Sequence, residues 1–96
     1  MQFLKNKGFT NDEINMIIDK YDSDTINTFL ESEDNVVEVI DYLNDFGIID
    51  VPKLMLQRID IFYIPVSKIS ELFSHYEKDS IIKALDYDAS IFDEMK

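Results

Sequence analysis

The sequence predicts an all-α fold on three observations. Apolar residues recur at three- and four-residue spacing along most of the chain, helix-capping residues stand at the starts of those runs, and only one segment has the composition of a strand. A lone strand would leave its backbone groups unpaired, so that segment, residues 59–64, is expected to be a buried connection. The expected architecture is a compact single domain spanning residues 1–96, with about six to seven short helices arranged in irregular pairs. Fourteen isoleucines and six asparagines stand beside only two alanines, two glycines and one arginine. AT-rich codons produce such a bias, so the isoleucines alone do not argue for strands.

Residues 1–7 can form a short first helix that Gly8 stops. Thr10 and Glu13 form a capping box, enclosed by Phe9 and Ile14 as a hydrophobic staple, so a second helix begins near Asn11 and carries Ile14, Ile17, Ile18 and Tyr21. Ser23 or Asp24 caps a third with Ile26, Phe29 and Leu30, and the polar residues 31–35 interrupt it. Asn35 with Glu38 suggests the next cap, opening the longest apolar stripe: Val36, Val39, Ile40, Leu43 and Phe46, ending at Gly47. Asp50 caps a helix with Pro52 in its first turn, where the missing amide hydrogen costs nothing, and Leu54 and Met55 on its face. Pro65 or Ser67 opens a helix bearing Val66, Ile69, Leu72, Phe73 and Tyr76. Asp79 caps another with Ile82 and Leu85, and a last turn carries Ile91 and Phe92.

Size and charge bound the function. A compact chain of 11.3 kDa exposes about 5,700 Å² by the area scaling of folded proteins, enough to bury a modest core without disulfides or metals. Nine basic residues against 20 acidic ones give a net charge of −11, which suits solubility or a basic partner and disfavours a broad phosphate-binding surface. The chain has no cysteine, which removes thiol catalysis and thiolate metal sites. No apolar run approaches the roughly 18 residues needed to span a bilayer. A cytoplasmic setting without membrane contact is expected.

Two internal correspondences point to repetition. Residues 53–62, closing on Ile61-Phe62, recur thirty residues later as residues 83–92, closing on Ile91-Phe92. Leu4 with Gly8-Phe9 recurs as Leu43 with Gly47-Ile48, 39 residues on. Together with residues 67–73, these phrases resemble the repeat of the mitochondrial transcription termination factor (mTERF) family. That resemblance implies a helix, a glycine, a second helix and a short third turn, stacked into a curved solenoid, and nucleic-acid binding through a local patch of Lys53, Arg58, Lys68 and Lys83. The chain departs from the family in having Ile59 and Ala89 where a proline usually precedes the closing apolar pair, and in being acidic. Residues 4–43, with Gly8-Phe9 after a short helix and Val39-Ile40-Asp41-Tyr42-Leu43 at the end, are also similar to ubiquitin-associated (UBA) domains. The extra segment around Ile26 to Leu30 departs from that pattern.

Catalytic constellations are not legible. The single histidine, His75, suits the carboxyl end of a helix, where a cation complements the dipole. With only Gly8 and Gly47 in the chain, neither a nucleophile elbow nor a phosphate-cradling glycine loop can be written. Asp22-Ser23-Asp24 and Asp86-Tyr87-Asp88 offer paired carboxylates, but neither continues into a calcium loop, and both read as caps or solvated turns. The densest apolar run contains Phe62 and Tyr63, which would anchor a partner wherever they reach the surface. The expectation is a non-enzymatic module without metal or cofactor that binds another protein, the alternatives being mTERF-type nucleic-acid binding or an acidic DNA mimic.

Overall fold

A computed structural model describes residues 1–95 and contains, among them, eight α-helices and one 3-10 segment, with no strand. The first helix, α1 (Gln2–Asn6), ends where Gly8 turns to φ +91°. There the Phe9 amide reaches back to the Leu4 carbonyl and the Gly8 amide to that of Lys5. This arrangement satisfies the last carbonyls of the helix and buries Leu4 and Phe9 together in the core. In α2 (Asn11–Lys20), both arms of the expected capping box are formed. The Glu13 amide donates to Thr10 Oγ1 at 3.1 Å, and the Thr10 amide donates to Glu13 Oε1 at 2.8 Å. Ile14 and Ile17 are buried as their spacing predicts, whereas Ile18 faces solvent.

The cap of α3 (Ser23–Glu31) is Asp22, whose carboxylate accepts from the Thr25 amide at 2.8 Å, one residue before the earliest expected position. Phe29 is its core residue and Leu30 is exposed. The expected break at residues 31–35 shrinks to Ser32 alone, and α4 (Glu33–Phe46) begins at once. Asn35 therefore lies inside α4 and is no cap. It sits on the packed side and spends its amide group elsewhere, as described below.

Helix α4 is central, packing against α1, α3, α5 (Val51–Gln57), the 3-10 segment (Ile59–Tyr63) and α6 (Val66–Phe73). Its stripe of Val36, Val39, Ile40 and Leu43 is fully buried. Asp50 caps α5 by accepting from the Lys53 amide at 3.1 Å. The connection expected over residues 59–64 takes the 3-10 form over Ile59–Tyr63, whose three-residue turn brings Ile59 and Phe62 to the same side, toward the core; these and Ile61 are buried, Tyr63 and Ile64 are half-buried, and Asp60 is exposed. After α6 come α7 (Lys78–Tyr87) and α8 (Ile91–Glu94). Glu77, not Asp79, occupies the N-cap of α7, and Ile81 with Leu85 faces the core while Ile82 is half-buried.

Two units of the same plan follow one another, α4–α5–3-10 and α6–α7–α8. At a register of thirty residues the core positions coincide: Val39 with Ile69, Leu43 with Phe73, Val51 with Ile81, Met55 with Leu85, Ile59 with Ala89, and Phe62 with Phe92, all buried. The second helices end alike, with the amides of Arg58 and Asp88 bonded to the carbonyls of Leu54 and Ala84. The repeat is irregular because the opening helices run 14 and 8 residues. The accessible surface of 5608 Å² matches the value expected for this mass, so the helices close on one continuous core.

Candidate functional site

A groove of about 580 Å³ runs along α6 between the 3-10 segment and α8. Pro65 starts the helix by accepting from the amides of Lys68 and Ile69, and this fixes which residues face the groove. Ile64, Pro65, Ile69, Leu72 and Phe92 supply its apolar wall and floor. Lys68 and Glu71, one turn apart on α6, and His75 just beyond its end supply the polar rim, and all three are exposed. A second, smaller cleft of about 210 Å³ lies between α2 and α5 and is bordered by Met16, Pro52 and Leu56.

The expected anchors behave differently from one another. Phe62 is entirely buried, because the 3-10 turn directs it inward beneath α4, and it presents no surface to a partner. Tyr63 is half-buried and reaches the groove. Its ring lies edge-on to Phe29 at 6.5 Å, and its hydroxyl donates to the Thr25 carbonyl at 3.2 Å. Burial raises the Tyr63 phenol above its ordinary value.

The four cations of the expected basic patch are also distributed. Arg58 grips two carboxylates at once: Nε and Nη2 meet Asp60 at 2.9 and 2.7 Å, and Nη1 and Nη2 meet Asp93 at 2.9 Å each. These bonds, chiefly those to Asp60, hold the guanidinium more firmly protonated and tie the end of α5 to α8. Lys53 Nζ donates to the Asp86 carbonyl at 2.8 Å, linking α5 to α7. Lys68 stands on the groove rim and Lys83 is exposed on α7. Two of the four cations are thus engaged by the chain's own oxygens. No family model, curated protein or solved structure matches this chain.

His75 lies just beyond α6, and the neighbouring Ser74 hydroxyl donates to the Glu71 carbonyl, where it closes the turn instead of facing the imidazole. The two carboxylate pairs serve as turn and cap groups. Asp88 accepts from the Ser90 amide at 2.9 Å and its hydroxyl at 2.8 Å, and Asp22 caps α3. Hydrogen bonds from Ser90 and from Thr25, respectively, hold these carboxyls below the usual range. Among the described residues no three histidine or carboxylate side chains converge as a metal site would require. No helix of the described residues is long and apolar enough to cross a membrane.

Sequence reasoning found Lys68 and Tyr63 but did not see that they share a wall with Leu72, His75 and Phe92. The 3-10 segment, α6 and α8 meet only through tertiary packing. The thirty-residue register was the one sequence clue that the end of the 3-10 segment and α8 occupy equivalent places.

Proposed function

We propose that the protein is a non-enzymatic helical module of a reducing, cytoplasmic compartment that acts by binding another protein through the groove along α6. The observation that carries this reading is the groove itself, where Tyr63, Ile64, Pro65 and Leu72 keep apolar surface in solvent over the buried Ile69 and Phe92, edged by Lys68, Glu71 and His75. Apolar surface that stays solvated beside exposed polar side chains favours a protein ligand, since burying it contributes roughly 25 cal/mol per Å². The engagement of Arg58 and Lys53 by Asp60, Asp93 and Asp86 weighs against the phosphate-binding reading implied by the family resemblance, because cations already paired release fewer counterions on binding nucleic acid.

The test compares two ligand classes. Purified protein mixed with labelled duplex and single-stranded DNA and RNA should give no mobility shift even at low salt. Capture from lysate should retain the same proteins with and without nuclease. A shift at low salt, together with partners that vanish on nuclease treatment, overturns the reading in favour of nucleic-acid binding.

A further inference from the structure

The cleft between α2 and α5 joins aliphatic surface to carboxylates that are only half used. Glu13 and Met16 border it one turn apart on α2, Pro52 and Leu56 one turn apart on α5, and Asp50, the N-cap of α5, stands among them. Met16 is 54% exposed, and Pro52 and Leu56 are half-buried, so apolar side chains stay solvated along the cleft. The two helices are fixed to each other, because the Tyr21 hydroxyl at the end of α2 donates to the Leu56 carbonyl at 2.7 Å. A guest therefore meets a preformed site.

Charge and size indicate the guest. Glu13 Oε1 accepts from the Thr10 amide and Asp50 Oδ1 from the Lys53 amide, which leaves Oε2 and Oδ2 without a donor among the described residues. The lining cation, Lys53, turns its Nζ to Asp86, 2.8 Å from the carbonyl and 4.0 Å from Oδ1. Both carboxylates stand at helix N-termini, but the partial charge there, about half a unit, is smaller than the full charge of each carboxylate. The cleft thus keeps a negative sign and lacks a cation of its own. At about 210 Å³ it is smaller than the roughly 300–1,000 Å³ of small-molecule pockets, which leaves room for one long side chain and not for a helix. Arginine pairs best with both oxygens of one carboxylate, and here each carboxylate has one oxygen taken. A lysine ammonium, compact and with three donors, can meet one oxygen from each while its methylene stem lies along Met16, Pro52 and Leu56. We propose that the α2–α5 cleft is a second docking site, which receives a lysine side chain of a basic partner protein. The net charge of −11 draws such a partner in. This cleft shares no lining residue with the groove along α6, and its role holds whether or not that groove binds a protein.

The probe is a capped synthetic peptide in which one lysine stands between two leucines, with glycine at either end. Three control peptides replace the lysine by norleucine, which keeps the stem and loses the charge, replace the lysine by glutamate, or replace both leucines by glycine. Titration to millimolar concentration into isotopically labelled full-length protein, followed by amide NMR, should move resonances of α2 and α5 and leave those of α6 in place. Glu13→Gln and Asp50→Asn each keep the side-chain acceptor of their helix cap, so they remove charge without removing the cap. Affinity for the lysine peptide should fall about threefold in either variant, as for an exposed ion pair, and should fall in Met16→Ala through lost contact area. The norleucine and glutamate peptides should bind more weakly than the lysine peptide and should not distinguish wild type from the charge variants. Leu72→Ala, in the groove along α6, should leave affinity for the lysine peptide unchanged. The docking site is overturned by equal binding of the norleucine peptide, by affinity unchanged in both charge variants, by shifts confined to α6 and α8, or by no saturable shift at millimolar peptide. Equal binding of the peptide without leucines also overturns it, by making the cleft a site for free amines.

Discussion

Tyr21 is held by backbone on both sides of one chain turn. Its hydroxyl donates to the Leu56 carbonyl at 2.7 Å and accepts from the Ile59 amide at 3.3 Å, joining the end of α2 to the end of α5 and the start of the 3-10 segment. These are helix-terminal groups with no partner inside their own elements. Tyr21→Phe leaves both without this bond in a partly buried setting, and the expected cost is about 1–3 kcal/mol, measured as a lower urea midpoint with unchanged slope. Burial raises the Tyr21 phenol above 10.0. A group whose folded value is raised contributes stability that is complete below its unfolded value and is lost as pH rises through the folded one. Wild type should therefore lose stability above pH 10 more steeply than Tyr21→Phe, and parallel curves would show that Tyr21 does not titrate with unfolding.

Asn35 works across a longer gap, its Nδ2 donating to the carbonyls of Phe62 at 3.0 Å and Ile64 at 3.1 Å. Asn35→Asp replaces those donors by a carboxylate facing two carbonyl oxygens, so it should destabilise more than Asn35→Ala despite its closer shape. The reverse order in thermal melts would show that the contact is dispensable. This residue also marks a limit of sequence reading. Asn followed by Glu38 fits a cap locally, and the carbonyls that claim it lie 27 and 29 residues away.

Helix ends divide along the same line. Those closed by neighbours in sequence were legible: the Thr10–Glu13 box, the Asp50 cap, and the glycine stops at Gly8 and Gly47. The boundary between α3 and α4 was not, because Ser32 alone separates them and its side chain makes no cap bond. The N-cap of α7 lies two residues before Asp79 for the same reason, since Glu77 caps without a side-chain bond. Core positions followed spacing wherever both sides of a helix were covered, as in α4, and failed where one flank is open, as at Ile18, Leu30 and Tyr76. The groove belongs to this second group. Its wall joins residues from Tyr63 to Phe92, and periodicity marks Leu72 as apolar without saying that nothing covers it.

The two glycine stops allow a controlled comparison between elements. Gly8 at φ +91° has open space where a Cβ would stand, whereas a Cβ on Gly47 at φ +107° would lie 3.2 Å from Ile82 Cδ1 of α7. Gly8→Ala therefore carries only the left-handed strain of about 1–2 kcal/mol. Gly47→Ala should cost more, because it also presses on the packing of α7 against α4. Equal losses in chemical denaturation would mean that Ile82 yields freely and that the second unit is not tightly seated on the first.

At the scale of the whole molecule, 20 acidic and nine basic residues occupy a body 34 Å long and 22 Å across. The Debye length is about 30 Å at 0.01 M salt, comparable to the molecule, and about 3 Å at 1 M. At low salt nearly every carboxylate therefore feels the rest, and the folded state carries a self-repulsion that the expanded chain relieves. Opposing this are the surface ion pairs Lys7–Asp41, Lys53–Asp86 and the Arg58 pairs with Asp60 and Asp93. Exposed pairs contribute about 0–1 kcal/mol each and weaken with salt, so only the bidentate Arg58 contacts add firmly. Repulsion should win, and Tm should rise between 0.01 and 1 M sodium chloride by several degrees, about 4–8 °C for each kcal/mol in a domain of this size. In Arg58→Ala the rise should be steeper, because Asp60 and Asp93 lose their shared cation and join the repulsion. A Tm that falls with salt in the wild type would mean that the Arg58 clasp, and not the net charge, governs how the last unit is held to the rest.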